Sequence, residues 1–215
     1  MSMGASNGGD LALIDAGGAN LGSVRYALGR IGAQPRLVRD ADELGAPERI
    51  ILPGVGAAAP SMALLRARGL DAALRDSTAP LLGVCVGMQL LFDSSDEGDV
   101  DCLGLLKGRV SRLAGGPGLR VPHMGWNRLR KCADANGGST ALLDGIDDGA
   151  HAYFVHSYAL LIDEHTEACT LAECDHGQRF AAVVGQGNRY GAQFHPERSS
   201  AAGLKLLDNF MKLPA

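Results

Sequence analysis

Leu81-Leu82-Gly83-Val84-Cys85-Val86-Gly87-Met88-Gln89-Leu90-Leu91-Phe92 decides how this chain is read. A short apolar run ends in a cysteine with a glycine two places before it and another two places after it, and apolar residues at helical spacing follow. This pattern predicts a strand that enters a sharp turn and leaves it as a helix, with Cys85 at the apex. A nucleophile held there has a strained backbone, and glycines on both sides relieve the crowding. The apex also lies at a helix N-terminus, where unpaired N–H groups and the macrodipole favour a thiolate and receive a developing oxyanion. The same residues are compatible with a small buried thiol in a sheet, because free cysteine is among the most buried residue types.

Working outward, the alternation continues. Leu11-Ala12-Leu13-Ile14-Asp15 reads as a buried first strand, followed by the glycine-rich turn Ala16-Gly17-Gly18-Ala19-Asn20. Leu21, Val24, Leu28 and Ile31 recur at helical spacing, and Gly32 is a natural stop. Gln34 to Val38 is a weak second strand. Arg49 to Leu52 is a third, closed by Pro53-Gly54-Val55-Gly56, and Ala57 to Leu74 is helical with a break near Gly69. Strands alternating with helices at this spacing predict an α/β fold, a single doubly wound and mostly parallel sheet with helices on both faces. Functional loops in such sheets gather at the C-terminal ends of strands, where Asp15 to Asn20, Pro53 to Gly56 and Cys85 all fall.

Beyond Phe92 the pattern changes. Asp93 to Gly98 is polar, Gly104 to Leu113 and Leu119 to Val121 read as short extended pieces, and Asn127 to Asp148 is a turn-rich excursion. Tyr153 to His156, Phe180 to Val184 and Tyr190 to Phe194 read as strands, several close enough for hairpins. Ser199 to Met211 closes the chain as an amphipathic helix with Leu204, Leu207 and Met211 on one face. No repeat or linker divides the chain. The second half is therefore expected to be an antiparallel C-terminal elaboration of one domain, 11–213, preceded by a small, polar, flexible segment, 1–10.

With 215 residues, 46% apolar and 20% charged, the chain has the profile of one soluble domain with a sizeable core. The net charge of −4, with signs interspersed, gives neither a basic stripe for nucleic acid nor a polybasic segment for a membrane surface. The start lacks the charged and apolar regions of a signal peptide, and no later run is long enough to span a bilayer. Five cysteines, Cys85, Cys102, Cys132, Cys169 and Cys174, follow no metal-ligand or disulfide framework. A reducing cytoplasm is expected, with neither metal nor cofactor.

The chemistry turns on Gly191-Ala192-Gln193-Phe194-His195-Pro196-Glu197-Arg198-Ser199. In an extended segment residues two apart project to the same side, so His195 and Glu197 are expected together, with Pro196 stiffening the spacer. A histidine oriented by a carboxylate is a general base. Alone, His-Pro-Glu reads more readily as a capped turn before the last helix; with Cys85 at a strand–helix turn it becomes a Cys-His-Glu triad in chain order. Gly54 and Gly56 flank Val55 at a strand end, where a peptide N–H can turn toward a neighbouring site. Together with the Val86 N–H this would supply two oxyanion donors, although Pro-Gly pairs are also common in ordinary βα turns.

Gly83-Val84-Cys85-Val86-Gly87-Met88-Gln89-Leu90, Pro53-Gly54-Val55-Gly56 and Phe194-His195-Pro196-Glu197 together resemble the class I glutamine amidotransferases. Within that class the chain is similar to the glutaminase subunits that serve imidazole glycerol phosphate synthesis in histidine biosynthesis. That narrower resemblance rests on Val121-Pro122-His123-Met124-Gly125-Trp126-Asn127, Tyr153-Phe154-Val155-His156-Ser157-Tyr158, and Asp15 to Asn20 with Ser23-Val24. It covers the chain from Leu11 to Phe210.

The resemblance implies that Cys85 attacks the glutamine side-chain amide, that His195 carries the proton from thiol to leaving ammonia, and that Glu197 orients the imidazole. Gln89 matches the position that holds substrate glutamine, and Ser157 and Tyr158 the segment that binds its α-amino and carboxylate groups. Gly54, Val55 and Gly56 match the oxyanion loop, with Gly56 also beside the substrate. From the residues alone, Gln89 reads as a polar helix residue facing solvent and Tyr158 as a half-buried strand aromatic. The resemblance further implies a heterodimer with a cyclase subunit, a (β/α)8 barrel, against which His123, Met124, Trp126 and the Asn20 loop would lie. On their own, His123 and Trp126 read as anchors of a turn over the core, and the other histidines as structural or surface residues. Ala16, Ala58-Ala59 and Val86 depart from the common family pattern without touching the triad. A glutaminase serving another synthase, a non-catalytic scaffold and a freestanding cysteine peptidase are the alternatives.

Overall fold

The apolar runs of the first half become parallel strands because both of their faces can be covered. The computed structural model describes residues 9–17, 20–132 and 140–214. Its first half comprises β1 (Leu11–Ile14), α1 (Leu21–Arg30), β2 (Arg36–Val38), α2 (Ala41–Leu44), β3 (Arg49–Gly54), α3 (Ala58–Ala67), α4 (Leu70–Asp76), β4 (Leu81–Cys85) and α5 (Val86–Gln89). The second half adds β5 (Ser94–Ser95), β6 (Val100–Asp101), β7 (Arg109–Arg112), β8 (His123–Arg128), β9 (Arg130–Lys131), β10 (His151–His156) and β11 (Tyr158–Leu160). It ends with β12 (Thr170–Asp175), β13 (Arg179–Gln186), β14 (Arg189–Ala192) and α6 (Ser200–Lys212).

The main sheet has the order β2-β1-β3-β4-β14-β13-β12-β9. The first five strands run parallel and the last three antiparallel, as the expected elaboration requires. Strand order reverses between β1 and β3, so right-handed crossovers send α1 to one face and α3 to the other. α1 packs beside α6, and α3 beside α4. Leu13, Ile14, Ile50, Ile51, Leu52, Leu81 and Leu82 are fully buried, each contributing about 1.5–3 kcal/mol of transfer free energy. β8 pairs with β10, and β11-β7-β5-β6 form a third small sheet.

Several expectations shift. α6 buries Gly203, Leu206, Leu207 and Phe210, so its inner face is rotated and Leu204 and Met211 lie at its edge. The rotation follows from Gly203, whose missing side chain lets the helix lie directly on the Pro196 carbonyl. Of Gly104 to Leu113 only Arg109–Arg112 is a strand, and Leu119 makes only an isolated bridge to Gly116. His123 to Trp126 is not a turn but the start of β8. At the end of the segment expected to be loose, Asp10 is held: it pairs with Arg36 at 2.7 Å and its carbonyl accepts from Glu48 N–H. The remainder of that expectation, 1–8, lies outside the described residues, as do 18–19 of the glycine-rich turn and 133–139 of the turn-rich excursion.

Candidate active site

β4 delivers Cys85 to the apex with φ 54° and ψ −114°, a left-handed conformation that costs about 1–3 kcal/mol in a non-glycine residue. The flanking glycines are required by contact. A Cβ on Gly83 would sit 2.5 Å from the Gly87 carbonyl oxygen, and one on Gly87 would fall onto the Leu52 carbonyl. Gly54, opposite Cys85 in the β3–β4 ladder, would place a Cβ 2.6 Å from the Gly87 nitrogen. Gly54 is thus buried beneath the Cys85 turn and does not line the cavity; its role is to let two backbones meet. The helix after Cys85 is a single turn, so the macrodipole expected there is small, and the local N–H groups of Val86 and its neighbours remain.

His195 and Glu197 come together by a different geometry from the extended one expected. His195 is extended, but Pro196–Arg198 form one 3₁₀ turn, which brings His195 Nδ1 to 3.0 Å from Glu197 Oε1. A carboxylate only accepts, so Nδ1 carries the hydrogen and Nε2 faces the thiol. Burial pulls His195 toward neutrality. The hydrogen bonds and charges of Cys85 and Glu197 outweigh it and hold the imidazole pKa well above its ordinary value. The turn is itself tied down: His195 N–H donates to the Tyr153 carbonyl, and buried Ser199 donates from Oγ to the His195 carbonyl at 2.7 Å.

These residues open on a cavity of about 350 Å³. Its wall brings together Cys85, His195 and Glu197 with Val55, Gly56 and Val86 of the expected oxyanion site, and with Gln89, Ser157 and Tyr158 of the expected substrate site. Gln89 is not solvent-facing. Its Nε2 donates to the Tyr158 carbonyl at 2.8 Å and to Gln193 Oε1 at 3.0 Å, which leaves Oε1 buried and unpaired. An unpaired buried acceptor in a cavity wall suits a ligand N–H. Gly56 holds φ +93°, a conformation that favours glycine.

The sequence did not single out Glu97, Pro122, Val155, His156 or Arg198, which complete the wall. Glu97 accepts from Ala58 N–H at 2.9 Å and caps α3, whose own N-cap residue Ala57 has no side-chain acceptor. Burial pushes its carboxyl up. A carboxylate on this wall is suited to an ammonium group. Among the described residues, no three His, Cys, Asp or Glu side chains converge as a metal-binding group.

Of the residues expected at a partner surface, Met124 and Trp126 project outward from β8, 64% and 55% exposed. Asn20 is exposed, caps α1 by accepting from Ser23 N–H, and also borders the cavity. His123 does not fit that expectation. Strand alternation turns it inward, where it stacks on His176 and Phe154. His156 Nδ1–H donates to the Tyr158 carbonyl, so its Nε2 accepts from His123 Nδ1–H at 2.9 Å, and Asn127 Nδ2–H is 3.3 Å from His123 Nε2. Burial lowers the His156 pKa to about 3 and that of His123 to about 4, so both rings are neutral at pH 7.

The family profile described as glutamine amidotransferase class-I matches residues 12–213. Imidazole glycerol phosphate synthase subunit HisH of Xanthomonas campestris pv. campestris (strain 8004) is 57% identical over 204 residues, covering 95% of this chain and 98% of that one. The same subunit of Xylella fastidiosa (strain Temecula1 / ATCC 700964) is 55% identical over 206 residues, covering 96% and 98%. A solved glutamine amidotransferase structure shares the fold, with a TM-score of 0.72 at 22% identity over 95% of this chain and 98% of that one. The chain belongs to the class I glutamine amidotransferases. Within that class it belongs to the family of the imidazole glycerol phosphate synthase subunit HisH.

Proposed function

We propose that this chain is a glutaminase subunit that hydrolyses L-glutamine to glutamate and passes the ammonia to a cyclase subunit in histidine biosynthesis. The convergence of Cys85, the His195–Glu197 pair and the unpaired Gln89 Oε1 on one cavity carries the reading. Cys85 Sγ attacks the side-chain amide carbon with its proton held on His195 Nε2. N–H groups of the Val55–Gly56 loop and of Val86 receive the oxyanion. His195 then protonates the departing nitrogen, ammonia leaves, and water hydrolyses the thioester. Gln89 Oε1, Glu97, Ser157 and Tyr158 hold the amino-acid end of the substrate.

Ammonia released to water at neutral pH is mostly protonated and no longer nucleophilic, which favours delivery through a partner. In this reading the partner is a (β/α)8 cyclase bound as a heterodimer across Met124, Trp126 and the Asn20 loop. It makes imidazole glycerol phosphate and an aminoimidazole carboxamide ribotide. Turning of the Val55 peptide would complete or remove an oxyanion donor and so couple the two sites. The five unpaired thiols fit a reducing cytoplasm.

The test is glutamate release from glutamine by the purified chain, with and without the cyclase and its bound substrate analogue, using Cys85→Ala as the blank. Strong stimulation that vanishes in the variant is expected. Full activity without the partner would overturn the coupling, and no activity in any mixture would leave a scaffold.

A further inference from the structure

The carboxamide of Gln193 touches the sulfur of Cys85, and the triad does not account for it. β14 runs parallel to β4 with Ala192 opposite Val84, so Gln193 and Cys85 leave adjacent strand ends side by side. Gln193 is fully buried. The direction of its hydrogen bonds is forced from outside. The Tyr158 carbonyl can only accept, and it takes one hydrogen from His156 Nδ1 and one from Gln89 Nε2. Gln89 therefore has its nitrogen toward Tyr158, and its second N–H meets the oxygen of Gln193 at 3.0 Å. That fixes Gln193 in turn, with Nε2 aimed at Cys85 Sγ at 3.9 Å.

We propose that Gln193 is a fourth member of the catalytic set: its N–H supports the Cys85 sulfur as it becomes a thiolate, and its carbonyl holds Gln89 so that a bare acceptor faces the substrate. This rests on Cys85 being the nucleophile. A donor aimed at sulfur favours the charged form over the thiol, because only the thiolate draws fully on the N–H. Gln193 neither gains nor loses a proton; the thiol proton still goes to His195. The titratable and charged groups facing the sulfur are His195, with Glu197 behind it and Arg198 beside them, from the turn after β14, and Glu97 and His156 from the other cavity walls. Gln193→Met adds no charge beside them, so the contribution of the carboxamide can be separated.

The experiment is the pH profile of Cys85 alkylation by iodoacetamide in the full chain, read peptide by peptide by mass spectrometry. Gln193→Met keeps the volume and removes both hydrogen bonds. Gln193→Glu keeps an acceptor for Gln89 and sets a carboxylate in place of the donor to sulfur, which disfavours the thiolate by charge as well. In both, alkylation at pH 7 is expected to slow by roughly tenfold and to recover at high pH, with the midpoint displaced upward. In Gln193→Met, KM for glutamine rises as well. A folded variant whose profile superimposes on the wild type overturns the proposal. The wild type supplies a second measurement without any substitution: the Gln193 side-chain amide proton resonance is expected to titrate with the Cys85 midpoint. A resonance that ignores that midpoint is equally fatal. Failure of Cys85 to alkylate at any pH in the wild type would instead remove the nucleophile reading itself.

Discussion

Tyr153 carries His195: the His195 N–H donates to the Tyr153 carbonyl at 3.0 Å, and Ser199 Oγ bridges the pair by accepting from Tyr153 N–H. The Tyr153 ring meets that of Trp126 at 5.8 Å. The strand that pins His195, the proposed base, therefore lies directly beneath the most exposed aromatic of β8. Ser199 spends its hydroxyl on this bridge, which is why it leaves the first turn of α6 without a side-chain cap.

Ser199→Ala removes both bonds of the bridge; the His195 carbonyl keeps the Arg198 N–H, and the half-buried Tyr153 N–H loses its partner. Stability is expected to fall by about 1–3 kcal/mol. Looser placement of the imidazole lowers kcat severalfold, with KM for glutamine within about twofold, because the substrate contacts belong to other elements. Steady-state kinetics beside a urea melt decide the matter. A folded variant with wild-type kcat would show that the turn holds His195 without the hydroxyl.

One substitution at two glycines is expected to have opposite signs. A Cβ at Gly203 would drive into the Pro196 carbonyl, at the centre of the His195–Glu197 turn. Gly203→Ala should destabilise by about 1–3 kcal/mol and depress kcat through the displaced turn. Gly29 lies within α1, and nothing is within 4 Å of its added Cβ. Gly29→Ala should stabilise by about 0.5–1 kcal/mol, since alanine costs less backbone entropy in a helix. Equal shifts in the two midpoints of unfolding would refute the packing argument.

The histidines give stability two limbs in pH. The His195 pKa is raised above 6.5, so the folded state binds this proton more tightly than the unfolded state. Its contribution is present in full below 6.5 and is lost as pH rises through the raised value. His123 and His156 are lowered to about 4 and about 3, so the unfolded state binds their protons more tightly. Their contribution is present above 6.5 and is lost as pH falls toward those values, by at most about 1.4 kcal/mol per pH unit for each group. His123→Phe should flatten the acid limb and Glu197→Gln the alkaline one, in urea unfolding at pH 5, 7 and 9. An acid limb unchanged in His123→Phe would contradict the assignment.

What the sequence disclosed and what it hid have physical reasons. The strands from Leu11 to Cys85 are legible because parallel strands buried on both faces need unbroken apolar runs. The proposed triad is legible because Gly83, Gly87 and Pro196 each meet a local backbone demand that leaves a mark in the chain. β12 is masked in the sequence because Glu173, paired with Arg130 and Arg179, interrupts its apolar pattern. β8 is half-exposed and carries Gly125 and Asn127, which read as turn residues. Glu97 and Gln193 reach the site through long-range register: one crosses from a polar loop to the start of α3, the other sits beside Cys85 only because β14 lies next to β4. His123 points inward because a strand, not a turn, sets its direction.

The outward face of β8 offers the last test. Met124 and Trp126 alternate with inward His123, and together they expose a large apolar surface on an edge pair of strands. Exposed aromatic and methionine side chains of this kind are what interface anchors are made of, and truncating such an anchor removes about 2 kcal/mol or more of binding energy. Trp126→Ala is therefore expected to weaken association with the cyclase by roughly thirtyfold in calorimetric titration. The Trp126 ring lies outside the cavity wall, so Cys85 in the isolated variant should alkylate as in the wild type. Stimulation of glutamate release should then fall at limiting partner and return when the cyclase is in excess. Unchanged affinity would place the partner on another face, and stimulation lost even at saturation would mean that Trp126 acts on His195 through Tyr153 rather than by docking alone.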